Sequence, residues 1–66
     1  MNYKINTKLI QTKMLQKGYS LTKLASISKI STSTLSRIIN SQGTPRQETI
    51  YKIAKALELE ISEIIL

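Results

Sequence analysis

The chain has no cysteine, no histidine and no aspartate. Without cysteine there is no disulfide framework, and without histidine as well a zinc knot has no ligands. The only acids are Glu48, Glu58, Glu60 and Glu63, and no catalytic residue can be assigned among them. A chain of 66 residues also offers little room for a cleft. An enzyme is therefore not expected, nor a cofactor, a metal or a small-molecule ligand. Long hydrophobic runs are missing too: the longest is three residues, 64–66. That excludes a membrane span and a signal-peptide core, and points to a cytoplasmic protein without a membrane partner.

Acids are also missing from most of the chain. Up to Gln47 there are eight basic residues and no acid, while from Glu48 onward two bases meet four acids. The net charge of +6 is thus the sum of +8 up to Gln47 and −2 beyond it. A polyanion would be attracted to the first part and repelled by the remainder. Solvated lysines serve solubility as well, so charge alone does not decide between the two roles.

Residues 1–6 carry no helical period and are expected to form an extended N-terminal arm, with Tyr3 and Ile5 alternating with polar neighbours. Residues 7–66 are expected to form one domain. Asn6 suits the N-cap of a helix over 7–17, and Gly18 suits the left-handed position beyond it. The stripe of that helix is Leu9, Ile10 and Met14, with Leu15 at its edge. Ser20 is placed to cap a second helix from 21 to about 28, and Ser31 a third from 32 to about 41. Thr44, Pro45, Arg46 and Gln47 have the form of a capping box with proline at the first helical position of a fourth helix, which ends at 57. Ile50, Ile53, Ala54 and Leu57 line that helix at helical spacing. A short fifth helix is expected over 61–65. The fold class is all-α, with five short helices.

The third helix carries the functional signal. At about 100° per residue, Leu35, Ile38 and Ile39 share one arc. Thr32, Ser33, Ser36, Arg37 and Asn40 share the opposite one, and Thr34 lies between. An ordinary exposed face favours Glu, Lys, Gln and Ala, because Ser, Thr and Asn are mediocre helix formers. Short hydroxyl and amide side chains let a helix backbone approach another surface and bond phosphates and base edges. The competing reading is that residues 31–33 are a redundant capping cluster. The second and third helices, separated only by Lys29, Ile30 and Ser31, cannot pack antiparallel and must cross steeply, as in a helix-turn-helix over about 21–40. Small Ala25 falls at the crossing, with Leu24, Ile30, Leu35 and Ile38 as the shared core. The polar arc is left facing outward, towards a major groove about 12 Å wide.

Residues 20–25 (SLTKLA), 30–38 (ISTSTLSRI) and 49–57 (TIYKIAKAL) together resemble the phage repressor/Cro family, the XRE-type helix-turn-helix proteins. The resemblance covers about residues 7–66 and implies a lambda-repressor-like DNA-binding domain. It implies that Thr32, Ser33, Ser36 and Arg37 reach base edges or nearby phosphates. Ser20, Ser31 and Asn40, with the loop near Arg46, are implied to hold the DNA backbone, through hydroxyls and amide groups at helix starts. Lys23 is assigned to phosphate, and Lys8, Lys13 and Lys29 to the general positive field. Arg37 suits guanine O6 and N7, with a phosphate clamp as its alternative.

Four positions depart from the family pattern. Leu21 stands where a phosphate-binding glutamine is common. Lys29 occupies a turn position that is commonly glycine, at a cost of about 1 kcal/mol if it is left-handed. Asn40 and Ser41 replace an Asn-Gly pair, with Gly43 two residues later. Met14 and Ile39 replace a buried arginine and glutamate. Because both partners of that pair are gone, no orphan charge remains, and the two side chains are expected to pack together.

One helix in one groove reads only about four base pairs, and family members commonly bind as two-fold dimers to palindromic sites. The tail, residues 61–66, has more apolar side chains than the domain can hide. Ile61 and Ile64 are expected to close the core and the remainder to form a homodimer contact, at least on DNA. The function expected is a transcriptional regulator of the phage or mobile-element kind, nucleoid-associated and binding double-stranded DNA at a palindromic operator. A repressor is favoured, since blocking a promoter requires only occupancy. The alternatives are a protein-interaction module on the same fold, such as an antitoxin, and a non-specific DNA-binding protein.

Overall fold

A computed structural model describes residues 4–42 and 45–66. Among them are five helices: α1 (Thr7–Lys17), α2 (Leu21–Ser28), α3 (Thr32–Ile39), α4 (Gln47–Leu57) and α5 (Ile61–Ile64). The first three begin where short polar side chains satisfy otherwise unpaired N–H groups. Asn6 Oδ1 accepts from the Leu9 amide at 3.1 Å, Ser20 Oγ from Lys23 at 3.1 Å, and Ser31 Oγ from Thr34 at 3.1 Å.

Four helices end by one device. The amide two residues past the last carbonyl-rich turn bonds back across it: Tyr19 to Met14 O, Ile30 to Ala25 O, Gln42 to Arg37 O and Leu59 to Ala54 O. The residue before each of these is left-handed: Gly18, Lys29, Ser41 and Glu58, with φ of 70°, 59°, 58° and 57°. This is the Schellman arrangement, which ordinarily favours glycine. Only one of the four is glycine. The left-handed Lys29 makes the tight turn between α2 and α3, which carries the backbone strain foreseen for it.

Leu24, Leu35, Ile50, Ile53 and Leu57 are fully buried together with Ile10 of α1 and Ile64 of α5. α2 packs on both α3 and α4, and α1 reaches α3, α4 and α5. Ala25 is buried between these helices, where a larger side chain would push them apart, and Ile38 completes the core. Ser28 is also buried; its hydroxyl donates to Leu24 O at 2.7 Å, within its own helix, and no buried side-chain polar atom is orphaned among the described residues.

Several sequence expectations need correction. α3 stops at Ile39 rather than 41, because Asn40 leaves the helical region (ψ 10°) and Ser41 turns left-handed. α4 opens at Gln47, not Pro45, since Arg46 is extended (ψ 156°) and its carbonyl accepts the first helical bond, from Ile50. Thr44 and Gly43 lie outside the described residues. Leu15 is 84% exposed and not part of the apolar stripe, and Ile61, at 40%, is exposed and not among the side chains packed on the core, so Ile64 closes it without Ile61. α5 ends at Ile64, with Ile65 extended.

Residues 4–6 run antiparallel to residues 64–66. Asn6 N–H donates to Ile64 O at 2.6 Å and Leu66 N–H to Lys4 O at 2.9 Å, with Ile5 opposite Ile65. The end of the arm thus ties to the tail. Ile5 and Ile65 are half-buried against the core.

Candidate nucleic-acid interface

α3 presents its two arcs as the residue pattern requires. Leu35 and Ile38 are buried, whereas Thr32, Ser33, Thr34, Arg37 and Asn40 are exposed and Ser36 is half-buried. Ser20, Lys23, Ser31 and Arg46 are exposed as well. Every residue singled out for DNA contact therefore reaches solvent at least in part.

The hydroxyls are not all equally free. Ser31 Oγ accepts from the Thr34 amide and donates to Thr34 Oγ1 at 2.8 Å, so it is engaged on both sides by its own helix. The capping role that competed with DNA contact for residues 31–33 thus falls on Ser31. Asn40 Nδ2 donates to Ser36 Oγ at 3.4 Å, joining two members of the outer arc across one helical turn.

A polar cleft between the end of α3 and the start of α4 is lined by Thr34, Arg37, Gln42, Arg46 and Thr49. It brings Arg37 and Arg46 to one depression without an acid among the described lining residues. Gln42 and Thr49 were not singled out from the sequence. Their placement depends on the angle between α3 and α4, which no local pattern encodes.

The acids are engaged elsewhere. Among the described residues the ion pairs are Lys17–Glu58 at 2.7 Å and Lys52–Glu48 at 3.3 Å. Lys55 lies 5.6 Å over the Tyr51 ring. Neither ion pair involves Lys23, Arg37 or Arg46, so the positive field of the α2–α3 side is not neutralised from within the chain.

Met14 and Ile39 are both half-buried against the core and line one groove between α1 and α3. An apolar pair on these two helices removes the desolvation cost that a charged pair there would carry. Leu21, the first residue of α2, lines the same groove beside Ser36 and Asn40.

Two helices packed together and joined by a three-residue turn, with an acid-free polar arc outward, define a helix-turn-helix domain. The helix-turn-helix family model matches residues 10–64, which reach from α1 to the last residue of α5. The chain belongs to this family, of the Cro/C1 or XRE type, a family of DNA-binding regulators. No curated protein and no solved structure matches the chain. Among the described residues no helix is long and apolar enough to cross a membrane.

Proposed function

We propose that this protein is a repressor that reads a palindromic operator as a homodimer, with α3 in the major groove of double-stranded DNA. The observation that carries the reading is the outer arc of α3: hydroxyls, one amide and one guanidinium, exposed except for half-buried Ser36, with no acid among them. Base edges are met by Thr32, Ser33, Ser36 and Arg37. Ser20, Lys23, Asn40 and Arg46 hold phosphates, and Ser31 contributes by capping the helix whose first amides face the backbone. The alternative for Arg37 is a phosphate clamp, for which the cleft it shares with Arg46 would offer one phosphate two cations.

A second copy is accommodated by the groove between α4 and α5, where Tyr51 and Ile61 are exposed beside half-buried Ile65. Such side chains at the edge of a small domain are suited to a self-complementary two-fold contact. The protein acts in the cytoplasm, at the nucleoid, by occupancy of a promoter.

Selection of bound duplexes from a random pool tests the reading. A palindromic consensus with half-sites about one helical turn apart supports it. Equal binding to all duplexes would leave only a non-specific DNA-binding protein, and no binding at low salt would leave a protein partner.

A further inference from the structure

The groove between α1, the start of α2 and α3 is lined by Met14, Leu15, Leu21 and Ile39, together with Gln11 and Tyr19, and extends to Ser36 and Asn40. No charged residue lines it among the described ones. It therefore sets an apolar surface directly against the polar arc of α3. Leu21 is half-buried and packed on the core, so its position is held by the scaffold.

The polar arc alone discriminates poorly. A hydroxyl both donates and accepts, so Thr32, Ser33 and Ser36 tolerate several bases, and of the residues assigned to base edges only Arg37 offers a two-pronged contact. In the major groove the one apolar group on any base is the 5-methyl of thymine. An anchored aliphatic side chain at the margin of that arc is matched to it in chemistry, and an uncharged rim leaves the methyl nothing to desolvate.

We infer that Leu21 is a specificity-determining residue that takes a thymine 5-methyl at one position of each half-site. The inference rests on α3 entering the major groove as proposed above.

The test uses the selected operator with each thymine replaced, one at a time, by deoxyuridine, which removes the methyl and nothing else. Affinity is read by fluorescence anisotropy. For the unmodified protein, one position per half-site should lose about fourfold, the value of burying one methyl-sized group. Leu21→Gln, which keeps side-chain length and helix propensity, and Leu21→Ala should both be indifferent to the methyl at that position while preferring the operator over scrambled duplex. Circular dichroism melting confirms that each variant is folded.

Selective binding with no methyl-sensitive position overturns the inference and leaves the DNA reading standing. So does sensitivity that persists in both Leu21 variants and disappears in Thr32→Ser, which would assign the methyl to α3. Absence of any selective binding overturns both.

Discussion

Glu58 Oε1 lies 2.7 Å from Lys17 Nζ, joining the ends of α1 and α4 across 41 residues of chain. Each helix presents the negative end of its dipole there, and Glu58 adds a carboxylate that this position disfavours. The Lys17 ammonium offsets both. Its hydrogen bond and charge hold the Glu58 carboxyl below its ordinary range, and Glu58 in turn raises Lys17 above its ordinary value of 10.5. A lowered carboxyl stabilises the fold above its unfolded pKa and loses that contribution as pH falls through the folded value. A raised ammonium contributes below its unfolded pKa and loses that as pH rises through the folded value. The pair therefore acts between the ordinary glutamate range and that of lysine. Urea midpoints across pH should show a shallower acid limb for Glu58→Gln than for the unmodified protein, and the difference should shrink in high salt.

Ser41 ends α3 at φ 58° with no side-chain hydrogen bond among the described residues. Glycine adopts that conformation without the steric cost a β-carbon brings, although it also loosens the unfolded chain. Ser41→Gly should raise stability by about 0.5–1 kcal/mol, read as a higher urea midpoint at unchanged slope. Glu58→Gly relieves similar strain but removes the Lys17 partner, so its gain should be smaller.

The contrast between those two sites shows what the residue order made legible. Helix starts at Asn6, Ser20 and Ser31 were readable because a cap acts over three residues of the same chain. The end of α3 was not, since serine carries little preference for the left-handed position that Ser41 adopts. The Lys17–Glu58 pair and the pairing of residues 4–6 with 64–66 depend on contacts distant in sequence, and no local pattern announces them. Leu15 misled because it follows Met14 and looks like the edge of the stripe, yet at 84% exposure it points off the domain. The outer arc of α3 was legible because helical periodicity alone separates Ser36 and Arg37 from Leu35 and Ile38. The cleft that adds Gln42 and Thr49, and the groove that adds Leu21, required the packed helices.

The two arcs of α3 should separate stability from binding. Leu35 is fully buried, and Leu35→Ala leaves a cavity costing about 2–5 kcal/mol. A domain of this length holds about 3–10 kcal/mol in total, so this variant should be largely or wholly unfolded on warming. Ser33→Ala, on the exposed arc, should melt within a few degrees of the unmodified protein. Thermal melts followed by circular dichroism check both.

Ile61 is 40% exposed beside Tyr51, so Ile61→Ser should leave the monomer folded. If this face joins two copies, sedimentation should show a weaker dimer. The operator binding curve should also become less steep, while affinity for an isolated half-site is unchanged. Unaltered association in both assays would place the two-fold contact elsewhere.

Arg37 and Lys23 should fail in different ways. A guanidinium on guanine O6 and N7 is worth about 1–3 kcal/mol of discrimination at a single base pair. Arg37→Ala should therefore relax preference at one position of each half-site and leave the others unchanged. Lys23 precedes the buried Leu24 and is exposed on α2, where an ammonium acts on phosphate without regard to sequence. Lys23→Ala should weaken every duplex alike and reduce the log–log salt slope by about 0.9 for each phosphate that is no longer neutralised, one per copy of the protein. Anisotropy titrations of operator and scrambled duplex across a range of salt resolve the two patterns. If Arg37→Ala instead lowers affinity uniformly and changes the salt slope as Lys23→Ala does, its guanidinium grips phosphate together with Arg46 in the cleft they share. Base discrimination would then have to come from the other residues of the α3 arc and its apolar margin.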